Sequence, residues 1–206
     1  VRLWQIGESL WLDELHSAWV VSASVTDVAE RAWIGNQSPL YFYLPWATTS
    51  VLGTSEWTLR LPSLVASLLL LVVAYCFVYR VTTSRIAAST TALLAAIDTN
   101  FLFYATEVRP YACVQLVAAV QLFVFWQLQA DATWKRRVAF VALSGLLFYL
   151  HYTAILLVAG QVVFALLQAT ISRRAGKAAG YGFGKVVFDS TGVIALTTPL
   201  VMHLAD

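Results

Sequence analysis

The chain has 206 residues, 60% hydrophobic and 12% charged, and its thirteen Lys/Arg and eleven Asp/Glu give a net charge of +2. A soluble domain carries about 25% charged residues, so this composition, with a mean hydropathy of +0.73, excludes an ordinary soluble protein and defines an integral membrane one. The basic residues are gathered in short clusters between apolar runs, which reads as membrane topology and excludes nucleic acid as a partner.

The sequence opens at Val1 in a Trp-rich stretch, so an anchor helix upstream is expected. Leu10-Trp11-Leu12-Asp13-Glu14 then sets two carboxylates beside aromatic and aliphatic side chains. A carboxylate there suits a general base acting on a hydroxyl or amine, and Trp11 suits a sugar or a lipid. The plainer reading is a solvated loop with ordinary acids. Residues 39–53 are apolar but too short to span easily, and read as a juxtamembrane helix with Trp46 and the Tyr residues at headgroup depth. Residues 1–59 are thus expected to be an extracytoplasmic loop with juxtamembrane helices.

Residues 60–206 read as an all-α, polytopic transmembrane helical bundle of about six spans. Leu61–Tyr79, Ile86–Tyr104 and Tyr111–Leu128 each approach the roughly 20 residues a span needs. Val138–Ile171 continues for about 34 residues without Lys, Arg, Asp or Glu, about 51 Å as a single helix. It must fold into two spans, and His151-Tyr152-Thr153 is the expected turn. Val186–Leu204 is a last candidate, interrupted by Asp189 and Pro199. Asp98, near the outer end of its run, is expected to cap or hydrogen-bond locally. Cys76 and Cys113 lie inside apolar runs and read as small buried hydrophobes. The Gly-rich stretch from Gly176 to Gly184 lacks the Lys-Ser/Thr ending of a phosphate loop.

Arg80 and Arg85 follow the first span, Lys135, Arg136 and Arg137 the third, and Arg173, Arg174, Lys177 and Lys185 the fifth. Alternating crossings put all three clusters on one side, which the positive-inside rule makes cytoplasmic. The other side then receives Asp13, Glu14, Arg60, Glu107, Arg109, Tyr111 and His151. Within Tyr104-Ala105-Thr106-Glu107-Val108-Arg109-Pro110-Tyr111, the planar fork of Arg109 suits a phosphate and Glu107 can orient it or touch substrate. Arg60, outside against the charge trend, can face an anion or simply snorkel. His151 can be an acid/base group or a ligand, although a lone His at a helix end is usually just hydrogen-bonded. No Cys/His spacing of metal type is present.

Taken in order, these pieces resemble the N-terminal half of a GT-C membrane glycosyltransferase, of the protein mannosyltransferase and aminoarabinose transferase group. Ser9-Leu10-Trp11-Leu12-Asp13-Glu14 resembles the Asp-Glu motif of that family's first extracytoplasmic loop. Gln37-Ser38-Pro39-Leu40-Tyr41-Phe42 resembles its His/Lys-Pro-Pro-Leu-Tyr-Tyr motif, with Gln-Ser in place of the first pair. Gly53-Thr54-Ser55-Glu56 through Arg60-Leu61-Pro62-Ser63 resembles the segment entering a span, and Tyr104 through Tyr111 the second acidic loop. Leu150-His151-Tyr152-Thr153 fits bacterial members. The resemblance implies inverting sugar transfer from a polyprenyl-phosphate donor to an extracytoplasmic protein, lipid or glycan acceptor, at a bacterial inner membrane. It makes Asp13 the base with Glu14 beside it and puts Glu107 and Arg109 at the donor or acceptor. Together with the reading of the residues, Asp13, Glu14 and Glu107 are the expected catalytic residues, and Arg109, Arg60, Tyr111, His151 and Trp11 the expected substrate-binding ones. No cofactor is required, and a divalent cation is compatible with the reading. A non-catalytic membrane subunit of a larger complex is the first alternative. A transporter is the second, although its sites usually lie at the midplane and these charges do not.

Overall fold

A computed structural model describes residues 6–176 and 180–205. Trp4 and Lys177 lie outside the described residues. The described chain is helical, with no strand, and its packing divides into two compact units at Ala119/Val120.

The first unit begins with two short helices, α1 (Leu12–Val21) and α2 (Val25–Ile34). Glu14 reaches back to the Trp11 amide, and Asp27 to the Ser24 amide (3.3 Å), so each carboxylate caps an otherwise unpaired amide. A third, α3 (Tyr43–Leu52), occupies the segment expected to be juxtamembrane. It stops at Gly53, whose φ of +84° is open to a residue without Cβ. Trp46 donates to the Ala23 carbonyl (3.1 Å), tying α3 to the turn between α1 and α2.

The long α4 (Glu56–Thr82) starts at a cap in which the Ser55 hydroxyl accepts from the Thr58 amide (3.2 Å). Pro62 lies inside it and has no N–H for the Thr58 carbonyl one turn back. The Thr48 hydroxyl of α3 donates to that carbonyl instead, at 2.8 Å. One proline therefore both loosens the first turns of α4 and creates the acceptor that fastens α3 to it.

Ile86–Tyr104 does not form the continuous span that its apolarity predicts. It divides into α5 (Arg85–Ile97) and α6 (Thr99–Ala105), bent by 62°. The cause is Asp98: its Oδ1 accepts from the Asn100 and Phe101 amides, both at 3.0 Å, starting a new helix where the old one would continue. Helix α7 (Tyr111–Ala130) follows the Glu107–Arg109 loop and carries the chain into the second unit.

In the second unit, α8 (Trp134–Leu150) and α9 (Ile155–Arg174) flank a short 3₁₀ turn at Tyr152–Ala154. The long uncharged run is thus split at the expected place. The last helix, α10 (Phe183–Ala205), runs in the same direction as α8: Asp189 meets Arg137, Gly192 faces Val141, and Leu196 covers Gly145. Phe125, Leu128, Phe140, Val158, Val186 and Val193 form the core of this unit.

Two polar groups interrupt its apolar helices, and both are satisfied. Arg137 grips the Asp189 carboxylate through Nε and Nη2, at 3.0 and 2.7 Å, and the Tyr181 hydroxyl adds a bond of 2.9 Å. Gln121 and Gln161 exchange amide hydrogen bonds of 2.7 and 2.9 Å, and Gln121 also donates to Ser144 Oγ at 3.1 Å.

α4, α7, the 3₁₀ turn with α9, and α10 are each long and apolar enough to cross a membrane, and α5 with α6 makes a fifth crossing if counted as one. α8, at 17 residues, lies at the short end of the range for a span. The protein is a polytopic helical membrane protein.

Candidate active site

The four segments that carry the family resemblance converge at the first turns of α4. Its first members are Glu14 and Arg60. Arg60 is buried; its Nε donates to Glu14 Oε1 at 2.9 Å and its Nη2 to Glu14 Oε2. Nη1 donates to the carbonyls of Ile6 (2.9 Å) and Glu8 (2.6 Å), so the loop before α1 is drawn onto the same guanidinium.

Glu14 is fully buried, and its Oε1 also accepts from the Val108 amide at 2.9 Å. A buried carboxylate without such donors would be costly; this one has three besides the amide it caps. The same end of α4 holds Ser63, whose hydroxyl lies 3.1 Å from Tyr41 Oη and donates to the Arg109 carbonyl at 3.3 Å. The second acidic loop is thereby pinned at two successive points, the Val108 amide and the Arg109 carbonyl. Pro110 leads directly into α7, fixing the loop's exit.

This frame brings Asp13, Glu107 and Arg109 together beside it, Asp13 open and the other two covered. Asp13 is the open member, with its side chain 51% exposed, and its Oδ2 lies 4.0 Å from Arg109 Nη2. Arg109 is mostly covered, packs 5.9 Å from the Tyr111 ring centroid, and keeps a buried Nε with no hydrogen-bond partner among the described residues. Glu107 is 4% exposed, and its Oε1 is likewise buried without a partner there. Burial pushes the Glu107 carboxyl up to about 7, the negative charge of Glu14 adds to the rise, and Arg109 opposes it. Two adjacent side chains thus hold unmet hydrogen-bonding capacity in a covered place beside an exposed carboxylate. Native structures seldom leave such groups unpaired without a reason.

The remaining expected site residues take different positions. Arg60 does not face outward to an anion; its guanidinium is committed to Glu14 and to backbone carbonyls. Trp11 caps α1 half-exposed, its ring 6.5 Å from that of Phe103. His151 belongs to the second unit, where it caps α8, sets Nδ1 2.7 Å from Thr153 Oγ1 and stacks on Tyr152. Tyr41 and Ser63 did not stand out as site residues in the sequence, although both lie inside segments that carry the resemblance. Among the described residues, no three His, Cys, Asp or Glu side chains gather into a metal-holding group.

The described residues thus form a helical membrane protein with an acid–arginine cluster at the end of a helix long and apolar enough to span. Comparison with protein families agrees: the model for dolichyl-phosphate-mannose-protein mannosyltransferase matches residues 36–195, and the chain belongs to that family of GT-C membrane glycosyltransferases. No curated protein and no solved structure matches the chain.

Proposed function

We propose that this chain transfers a sugar from a polyprenyl-phosphate donor to an acceptor on the extracytoplasmic side, with inversion at the anomeric carbon. The observation that carries the proposal is the convergence of Asp13, Glu107 and Arg109 on one frame built by Glu14, Arg60, Tyr41 and Ser63. In this reading the acceptor oxygen or nitrogen attacks the anomeric carbon as Asp13 takes its proton. The bond between that carbon and the phosphate oxygen breaks, and the lipid phosphate leaves with the electron pair. Arg109 stabilises the charge that develops there, as preorganised cations do. Glu107 offers its free oxygen to a sugar hydroxyl. Glu14 and Arg60 are positioning residues: they hold the segments bearing Asp13 and Arg109 and touch neither substrate. No cofactor is required, and a divalent cation is compatible with this scheme.

The charges at the two ends of α4 support this sidedness. The helix starts at Glu56 and Arg60 and ends at Arg80, with Arg85 just beyond. The positive-inside rule puts the Arg80–Arg85 end in the cytoplasm and the Arg60 end outside it. The expected membrane is a bacterial inner membrane.

The test is transfer of radiolabel from a polyprenyl-phosphate sugar to a membrane extract by purified protein in bilayers. Turnover that depends on the lipid phosphate supports the proposal. Donor binding without turnover, by the full-length chain, would favour a non-catalytic membrane subunit.

A further inference from the structure

The second unit has a charged place of its own, where α8 and α10 begin. The two helices run side by side and touch at two levels. Near their starts Arg137 grips Asp189. About 12 Å further along, Leu196 packs over Gly145, and the Leu196 carbonyl accepts from the Tyr149 hydroxyl at 3.2 Å. Between these levels Gly192 contributes no side chain; a Cβ there would sit 3.4 Å from Val141. The surface is recessed as a result, in a groove of about 390 Å³ walled by Trp134, Val138, Val141, Phe188 and Leu196. Trp134, Val138, Phe188 and Leu196 are exposed, so the groove opens outward.

The groove is apolar except at one end. There Asp189 is buried, and both of its oxygens are filled by Arg137 and the Tyr181 hydroxyl. The acid therefore faces inward, while the cations keep open edges. Arg137 Nη1 makes no hydrogen bond to the described residues, since Nε and Nη2 do all the gripping. Lys185 lies one turn before Asp189 on the same face of α10. It is exposed and donates to the Gly180 carbonyl at 3.1 Å, not to a carboxylate. Two cations against one acid leave one positive charge at the mouth of the groove. Trp134, one turn before Arg137 on α8, is the kind of exposed aromatic that sits at headgroup depth.

From this arrangement we infer that the groove between α8 and α10 binds an anionic phospholipid, with the phosphodiester between Arg137 Nη1 and Lys185 Nζ and an acyl chain along Val138, Val141 and Gly192. One phosphodiester carries the one negative charge that the excess cation meets. A guanidinium edge suits phosphate oxygens, and basic pockets between membrane helices are suited to anionic headgroups. A zwitterionic lipid brings its own cation to the same place and gains less. A free phosphate would meet the cations but leave the apolar walls uncovered. The lipid comes from the leaflet at the basic end of these helices, which the positive-inside rule makes the cytoplasmic one. The inference does not rest on the proposed sugar transfer.

The experiment puts a photoreactive benzophenone side chain at position 188, on the groove, or at position 194, exposed and about 120° around α10. The full chain is placed in vesicles of equal phosphatidylcholine and phosphatidylglycerol with the same acyl chains. After illumination its lipid adducts are weighed by mass spectrometry. The ratio of phosphatidylglycerol to phosphatidylcholine adducts at 188 should exceed that at 194 about fivefold, the factor that about 1 kcal/mol for one basic residue gives. Lys185→Gln should bring the two positions to one ratio, and Lys185→Arg should keep them apart. Gly192→Leu, which adds a side chain inside the groove, should lower lipid adducts at 188 and not at 194. Equal ratios at the two positions without these changes overturn the inference. So do adducts of 188 to protein in place of lipid, which would mean that a helix covers the groove. An enrichment at 188 that survives Lys185→Gln overturns the headgroup assignment. Adduct formation needs no turnover, so failure of sugar transfer and failure of lipid binding are separate results.

Discussion

Glu14 Oε1 accepts a hydrogen bond from the backbone amide of Val108, 94 residues further along the chain. The same carboxylate accepts from Nε and Nη2 along one edge of the Arg60 guanidinium. It joins the first loop, α4 and the second acidic loop, and through their neighbours brings Asp13 to Arg109. Replacing Glu14 with Gln should leave Arg60 buried with an uncompensated charge. Breaking a buried pair from one side typically costs about 3–5 kcal/mol. The expected outcome is a clear loss of thermal stability in detergent or bilayers. A Glu14→Gln, Arg60→Gln double variant should lose less than the sum of the two single changes, because the two groups share one interaction. Additive losses would show that the pair is not the strut described here.

Glu107 makes a different demand. Its carboxyl is pushed up to about 7 from an ordinary 4.5, first by burial and then by the charge of Glu14. Asp13, Arg109 and Arg60 are the other charges acting on it. An acid whose folded pKa is raised binds its proton more tightly folded than unfolded. Its contribution to stability is fully present below about 4.5 and is lost as pH rises through about 7. Glu107→Gln removes this titration while keeping a neutral polar group of the same shape. The stability of wild type relative to Glu107→Gln should therefore fall between pH 5 and pH 8, read as the difference in unfolding midpoint. A difference that stays constant across that range would mean that Glu107 does not titrate there.

Several of these relationships were legible in the sequence and several were not, and the division follows the range of the interaction. The long uncharged run after Val138 exceeds any bilayer, so its break was forced, and the only polar triplet within it marks the place. Asp98 was recognisable as a local cap. The 62° bend it causes was not, because an apolar run of spanning length looks the same whether or not one carboxylate restarts the helix within it. Asp13 and Glu14 are adjacent acids, and nothing local says which one turns inward. That choice is made by Arg60, 46 residues away. Asp189 stood out as a flaw in an apolar helix, but its partner Arg137 is 52 residues distant and read only as part of a basic cluster.

Gln121 and Gln161 are a case in which the sequence is silent and the packing is specific. Both are buried in helices of the second unit, 40 residues apart, and they exchange two amide bonds. Truncating one leaves the other's polar atoms unmatched in an apolar interior. Gln121→Leu or Gln161→Leu alone should each destabilise the protein. The double Leu variant should recover part of the loss, since it removes both amides and leaves only the Ser144 hydroxyl without its Gln121 donor. Interhelical pairs in membranes average about 0.6 kcal/mol and reach about 1.7 in double-mutant cycles, so a coupling in that range is expected from unfolding in mild denaturing detergent. Zero coupling would mean that the two amides find other partners.

The last expectation concerns the chemistry of the proposed transfer. Asp13 is the exposed carboxylate of the cluster and Arg109 the cation nearest to it. Asp13→Asn keeps the shape of the side chain but cannot accept a proton. Its loss should fall on the chemical step, by the roughly 10²–10⁴-fold typical of a general base, with donor affinity retained. Arg109→Ala removes a phosphate partner that acts in the ground state as well as the transition state, so donor binding should weaken along with turnover. The two variants should therefore separate when donor binding and single-turnover transfer are measured on the same preparations. Lys at position 109 should restore charge but not the planar fork, and so recover binding only in part. Wild-type turnover in Asp13→Asn would remove that residue from the mechanism. The base would then have to be sought at Glu107, the other carboxylate with an unpaired oxygen in the cluster.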